Sequence, residues 1–288
     1  VIDEYLGGED WDEPPEEMAL EAAYGELLDD VIGLVAALCG ERPQAATATE
    51  LATAALRLYV RVPALVNVTL NYKICVEHGL PLHPTVYYEL AEARRYKMDH
   101  PIAQLDRANR LYLASIDLAR AAYRLEPDFQ ARAEVFKSSL PEEIPRFIYT
   151  GGRDRYSWRG AEPAKLRALA DKIRAACSPA LLIAAAHGAI MPALLLAEYL
   201  DMPLYFIRFS MFKRKDEAPI LSVSDEVWLS SWRDKCVILF DEDVAKGTTL
   251  ALFSRRLSPL FAEAKSACSI RHAGSTFAPD FVARYWWD

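Results

Sequence analysis

Several things are scarce in this chain, and each scarcity excludes something. No run of about eighteen uninterrupted apolar residues occurs, and no basic segment leads into an apolar one. Neither a membrane span nor a signal peptide is therefore expected. The five cysteines (Cys39, Cys75, Cys177, Cys236, Cys268) are odd in number, scattered, and never spaced C-x-x-C. That excludes a disulfide scaffold and a zinc ribbon, and it suits reduced, mostly buried thiols in a cytoplasmic protein. Histidine is also rare: His78, His83 and His100 do not share the face of one helix, so capping or loop roles are expected of them rather than metal binding. Internal repeats and low-complexity tracts are missing. Residues 1–30 contain no Lys or Arg, although they hold twelve of the 41 acids. The net charge of −8 is thus a poor average, since residues 31–288 set 29 acids against 33 bases and are net +4. An acidic head on a mildly basic body reads as a solvated tail. The chain begins at Val1 rather than Met, so a missing native N-terminus is expected.

With 288 residues the chain is long enough for two ordinary domains. Residues 1–13 are expected to form the flexible acidic head. From Pro14-Pro15 to Pro141 the apolar spacing is helical. Glu16 to Cys39 reads as one helix stopped at Gly40, and Thr47-x-x-Glu50 is a capping-box pattern opening a second. Pro63 is expected to separate that helix from a third, running from Ala64 to Val76. Further helices are expected over Thr85–Met98, Ile102–Leu125 and Pro127–Leu140. No sheet is expected here, and residues 14–145 are assigned to an all-α domain. Arg94, Arg95 and Lys97 form a small basic cluster, but no aromatic residues interleave with it. It reads as a solvated face, and nucleic acid is not the expected partner.

Beyond Pro145 and Gly151-Gly152 the period changes. Pro163–Ala176 and Ile190–Leu200 read as helices, Ala180–Ala186, Leu204–Phe209 and Ser266–Arg271 as strands, and Lys213–Asp225 as a polar loop. Alternating strands and helices predict a parallel α/β sheet over residues 146–288, with its site at the carboxyl ends of the strands.

The most informative stretch is Cys236 to Thr249. Val237-Ile238-Leu239-Phe240 is too short for a helix and rich in β-branched and aromatic residues, as befits a strand buried on both faces. Asp241 and Glu242 follow where such a strand would leave its sheet. Asp243-Val244-Ala245-Lys246-Gly247-Thr248-Thr249 then leads into a helical run, Leu250–Leu257. Amides of such a turn attract phosphate, and the carboxylates can accept hydrogen bonds from sugar hydroxyls.

This stretch resembles the phosphoribosyl-pyrophosphate motif of type I phosphoribosyltransferases. Two other regions carry the same resemblance. One is Ala185-Ala186-His187-Gly188-Ala189 before an Ala/Leu-rich helix. The other is Ser269-Ile270-Arg271-His272-Ala273-Gly274 followed by Pro279-Asp280-Phe281-Val282, which is similar to the end of the xanthine-guanine and hypoxanthine-guanine members. Tyr156-Ser157-Trp158 also resembles the segment before that family's first helix. The likeness covers about residues 150–288 and leaves the helical domain unexplained.

The resemblance implies transfer of phosphoribose from phosphoribosyl pyrophosphate to a nucleobase, probing a purine first. It assigns Asp241 and Glu242 to the ribose hydroxyls and to the charge that develops on the sugar. Residues Asp243, Val244, Ala245, Lys246, Gly247, Thr248 and Thr249 would hold the 5′-phosphate. Ala186, His187, Gly188 and the basic loop Lys213-Arg214-Lys215 would receive the pyrophosphate, with Mg²⁺ riding on its oxygens rather than on a protein cage. Arg271 would meet the purine 6-oxo group, Phe281 would stack on the base, and the Val282 carbonyl would read its exocyclic groups. Three positions depart from the family pattern. His187 stands where a permanently charged Arg is usual, Ala245 replaces an Asp that exchanges a proton with the base, and Lys246 replaces a hydroxyl residue. Those departures favour an alternative, a catalytically silent nucleotide sensor whose helical domain binds a partner protein or nucleic acid. A homo-oligomer formed through the helical domain is the other partner expectation.

Overall fold

The computed structural model describes residues 1–40, 47–85, 88–211 and 215–287, which divide into two compact units, Val1–Asp154 and Arg155–Asp288. In the first unit four helices dominate: α1 (Tyr24–Cys39), α2 (Ala48–Glu77), α3 (Ile102–Arg124) and α4 (Phe129–Ser139). The expected capping box is present at the start of α2, where the Glu50 amide donates to Thr47 Oγ1 at 3.2 Å and the Thr47 amide to Glu50 Oε2 at 2.7 Å.

Pro63 does not divide that region; α2 runs through it as one helix of 30 residues. Proline has no amide to donate to the carbonyl four residues back, which belongs to Tyr59. Tyr123 of α3 supplies the missing donor: its hydroxyl gives a 2.7 Å hydrogen bond to the Tyr59 carbonyl, and the two rings stack at 5.2 Å. Packing on both sides of the proline then favours continuity, with Leu58, Val62, Leu65 and Val66 all inaccessible to solvent. Tyr123→Phe is expected to leave that buried carbonyl unpaired and to destabilise the first unit by about 1–3 kcal/mol in urea unfolding. Pro63→Ala, which restores the helical donor, should suppress most of the loss. By length and composition α2 would pass for a membrane-crossing helix, but 61% of its most apolar window is buried within the structure.

Other expectations for this unit are corrected. A short strand β1 (Glu21–Ala23) pairs antiparallel with β2 (Ile148–Thr150), so α1 begins only at Tyr24. The same pairing keeps residues 146–154 with the helical unit, which moves the division from residue 145 to Asp154. Between Thr85 and Met98 the described residues form only a 3-10 turn, Leu90–Arg94, with no buried side chain; a helix without an apolar face to bury gains little from tertiary packing. The acidic head is not loose. Ile2 and Leu6 are 0% and 1% exposed, and Trp11 meets the Tyr59 ring edge-on at 6.2 Å. Its few apolar side chains, sparse among the acids, are enough to fasten it.

The second unit begins with α5 (Arg155–Gly160) and α6 (Pro163–Ala176), then alternates β3 (Leu181–Ala186), α7 (Ile190–Leu200), β4 (Leu204–Arg208), α8 (Val223–Ser230), β5 (Cys236–Val244), α9 (Thr248–Leu257), β6 (Glu263–Arg271) and β7 (Phe281–Tyr285). Three of these elements, α5, α8 and β7, were not expected. Helix α8 starts inside the supposed polar loop, where Ser222 Oγ caps the Asp225 amide at 3.3 Å, and Trp228 stacks on Tyr205 of β4 at 4.2 Å. Strand β7 adds itself beside β6.

All five strands are parallel, in the order β4-β3-β5-β6-β7. The chain therefore steps outward from β3 to β4 and then returns past β3 to place β5 on its other side. Such a reversal leaves a crevice outside the carboxyl ends of the two strands where it happens, here β3 and β5. Those strands are nearly wholly apolar and buried up to their last residues, so polar groups are confined to the tip where the crevice opens. No disulfide is formed among the described residues; Cys75 and Cys268 are buried, Cys177 and Cys236 partly so, and Cys39 is exposed.

Candidate active site at the strand tips

The acidic tip of β5 faces this crevice from the register of the sheet itself. Asp241 pairs with Cys268 of β6, and Asp243 and Val244 remain in the strand opposite Ile270 and Arg271. Asp241 is only 7% exposed. Burial, with a smaller contribution from the neighbouring Asp243 carboxylate, pushes its carboxyl up to about 6, while the Glu242 amide donates to Asp241 Oδ1 at 3.1 Å. The same burial pushes the Cys268 thiol well up.

Glu242 turns toward α5 and the β3–α7 turn. Ser157 Oγ donates to Glu242 Oε1 at 3.4 Å. A Cβ at Gly188 would lie 1.8 Å from that oxygen, and one at Gly160 would lie 2.9 Å from the Glu242 carbonyl. Gly160 is thus required by the Glu242 backbone, whereas a side chain at Gly188 would displace the Glu242 carboxylate. The turn itself joins β3 to α7: Ala186 is the last, buried residue of β3, its carbonyl accepts from the Phe209 amide at 2.9 Å, and the Ala186–His187 peptide is cis. His187 and Gly188 are half-buried beside Glu242.

Beyond β5 the turn is shorter than the motif suggests, since only Ala245, Lys246 and Gly247 separate strand from helix. Gly247 sits in the left-handed region at φ 86° and forms the N-cap of α9. The Lys246 carbonyl is held by the Thr276 amide at 3.2 Å and by Thr276 Oγ1 at 3.3 Å. Among the described residues no side chain caps α9, so its first-turn amides are left for an anion. Ala245, Lys246 and Thr248 are exposed there, and Thr249 Oγ1 lies 3.7 Å from Met211 Sδ.

The structure does not bring all the expected residues together. Lys213 and Arg214 lie outside the described residues. Lys215 is described, with φ 53°, next to Asp216, which forms a buried ion pair with Arg208 at 3.1 Å and accepts from the Ser210 amide at 2.9 Å. Arg271 reaches the carboxyl end of β6, and its Nε is buried without a hydrogen-bond partner among the described residues. Phe281 and Val282 stand at the opposite, amino end of β7, in register with Ala267 and Cys268. The Val282 carbonyl already accepts from Lys172 Nζ of α6 at 2.7 Å. The ring at the carboxyl end of β7 is instead Trp286, whose amide donates to the Arg271 carbonyl at 2.9 Å.

Around Trp286 the sheet gathers a cluster that motif reading missed. His272 stacks on the indole at 4.4 Å and 19°, and the Arg159 guanidinium lies over it at 4.6 Å. His272 Nε2 and Asp243 Oδ2 are 2.7 Å apart, so the Asp243 carboxylate holds this histidine. The available signal was the alternation inside Asp241-Glu242-Asp243, which sends the third acid to the same sheet face as the first.

No family model matches the chain, and no curated protein matches it. Among solved structures, a purine phosphoribosyltransferase from Pyrococcus horikoshii is 28% identical over 42% of this chain and 80% of its own, with a TM-score of 0.35. The xanthine-guanine-hypoxanthine phosphoribosyltransferase of Helicobacter pylori is 17% identical over 43% and 85% of the two chains, with a TM-score of 0.32. For the hypoxanthine phosphoribosyltransferase of Trypanosoma cruzi the figures are 18%, 43%, 75% and 0.33. The C-terminal unit thus joins a five-stranded parallel sheet, an acid-tipped central strand and a glycine turn at a helix start, and over part of its length the chain is similar to these solved phosphoribosyltransferases.

Proposed function

We propose that the C-terminal unit transfers phosphoribose from phosphoribosyl pyrophosphate to a purine base, giving a nucleoside 5′-monophosphate and pyrophosphate. The observation that carries this reading is the buried carboxylate of Asp241 at the β3/β5 crevice, followed within a few residues by the uncapped first turn of α9. A carboxylate there can stabilise positive charge on an oxocarbenium-like sugar, and a low-dielectric setting strengthens that effect. The amides of Gly247, Thr248 and Thr249, with the Lys246 ammonium as a point charge, would take the 5′-phosphate. The unpaired Arg271 Nε is a donor for a carbonyl oxygen on the base. Trp286 replaces Phe281 in this reading as the aromatic residue beside the base, offering its edge because His272 and Arg159 cover its faces.

Mg²⁺ would be bound mainly by pyrophosphate oxygens. The chemistry of the donor set fits: the tip offers carboxylate oxygens, a hard cation's ligands, but Asp243 is committed to His272 and Glu242 to the Gly188 turn. Among the described residues no cluster of three or more His, Cys, Asp or Glu is arranged to hold a metal. When bound, the ion would supply neutralisation of the leaving pyrophosphate.

The silent-sensor reading has one observation in its favour. The Glu242 carboxylate lies against the Gly188 turn, which puts a negative charge where the family holds pyrophosphate. The test is pyrophosphate release on mixing the protein, Mg²⁺ and phosphoribosyl pyrophosphate with guanine, hypoxanthine, xanthine or adenine. Release with at least one base is expected. Binding of the sugar pyrophosphate with no release for any base would replace the enzyme with the sensor.

A further inference from the structure

Attaching a nucleobase to C1′ of the sugar releases a proton. The C1′–O bond breaks and its electron pair leaves with pyrophosphate, the N–C1′ bond forms from a base lone pair, and a ring N–H must give up its hydrogen. Few groups at the strand tips can receive it. Ala245 offers a methyl group, Glu242 is boxed between two glycines, and Asp241 is placed to stabilise the sugar.

We infer that His272, oriented by Asp243, takes this proton; the inference deepens the reading of the site as a phosphoribosyltransferase and rests on it. Four observations converge. The His272 amide is fixed to the Val244 carbonyl at 3.1 Å, which plants the residue beside the phosphate turn. Nε2 is 2.7 Å from Asp243 Oδ2, whose side chain is 6% exposed. A carboxylate only accepts, so Nε2 carries a hydrogen, and in the neutral imidazole Nδ1 holds the lone pair. Nδ1 has no partner among the described residues, and the side chain keeps 18% of its exposure. Finally, the ring is held flat on Trp286 and tilted against Tyr156 at 6.2 Å, directly after Arg271. A base bound to Arg271 beside the edge of the indole therefore comes within reach of Nδ1. The charged and titratable groups facing the imidazole are Asp243 from β5, Tyr156 and Arg159 from α5, the latter across the indole, and Arg271 from β6. One carboxylate in direct contact is set against two guanidiniums that do not touch the ring. Asp243 is thus a positioning residue and His272 the proton acceptor.

The experiment measures kcat and KM against pH for the wild type, His272→Gln and Asp243→Asn, with binding of phosphoribosyl pyrophosphate followed by calorimetry. His272→Gln is expected to lower kcat by about 10²–10⁴-fold and to leave sugar-pyrophosphate binding within threefold. Asp243→Asn should lower kcat by a smaller factor at an unchanged KM. Should either variant fold poorly, imidazole added to His272→Ala is expected to restore turnover, an effect that a merely structural histidine would not produce. Wild-type turnover with an unchanged kcat and profile in His272→Gln, or no rescue by imidazole, would overturn the role of His272 alone. Absence of turnover in the wild type with every base would overturn the transferase reading and this inference together.

Discussion

Asp241→Asn is expected to abolish turnover and yet stabilise the protein. The lost charge removes an electrostatic contribution worth about 10²–10³-fold in kcat. Stability moves the other way because the folded state holds this carboxyl at about 6, above its ordinary value of 3.8. A carboxyl raised in the folded state binds its proton more tightly there than in the unfolded chain. Its contribution is fully favourable below the unfolded value and is lost as pH rises through about 6. At neutral pH the wild type therefore carries the cost of an ionised, buried group, at most about 3 kcal/mol for a shift of this size. Asparagine keeps an Oδ1 to accept from the Glu242 amide and sheds the charge. Thermal unfolding at pH 7.5 should show a rise of several degrees, roughly 5 °C, shrinking to nothing below about pH 4. A fall in melting temperature at pH 7.5 would mean that the carboxylate is compensated by partners and is not held at a cost. The same ionisation predicts that wild-type kcat declines as pH drops through about 6.

The second large effect belongs to Gly247→Ala. At φ 86° an alanine pays the left-handed penalty of about 1–2 kcal/mol. Its Cβ would also lie 2.7 Å from Phe277 Cβ and Ser275 Oγ and 2.9 Å from the Phe277 amide nitrogen. Part of that obstacle is backbone, which cannot rotate away, and overpacking of this kind adds about 1–3 kcal/mol. A total loss of about 3–4 kcal/mol is expected in urea unfolding of the C-terminal unit, together with loss of phosphoribosyl pyrophosphate binding. Gly274→Ala is the control, because a Cβ there meets nothing within 4 Å, and it should stay within about 0.5 kcal/mol of the wild type. Equal stability of the two variants would show that the turn is not packed against residues 275–277.

How far the site could be read from the sequence depends on how local each feature is. The tip of β5 was legible because it needs only neighbours along the chain: an apolar run, two acids and a glycine before a helix. The Thr47/Glu50 capping box and the limits of α6 and α7 were legible for the same reason. The two short strands of the helical unit were not, since each has three residues and a ladder partner more than a hundred positions away. Pro63 misled because the donor that compensates it, the Tyr123 hydroxyl, lies 64 residues beyond the Tyr59 carbonyl it pairs. Phe281 and Val282 were placed by motif order, whereas the parallel register of β7 against β6 puts them at the wrong end of the strand.

By itself the sequence determined that a helical part precedes an alternating strand–helix part, and that one buried strand ends in carboxylates beside a glycine turn that opens a helix. Propensity, capping and side-chain periodicity act over a few residues, so that information is present before folding. Only the tertiary structure decided what the third acid touches, which indole lies at the carboxyl end of β7, and why Gly160 must lack a side chain. Asp243, His272, Trp286 and Arg159 come from four separate segments, and only strand register, fixed by the parallel ladder, puts their side chains in contact.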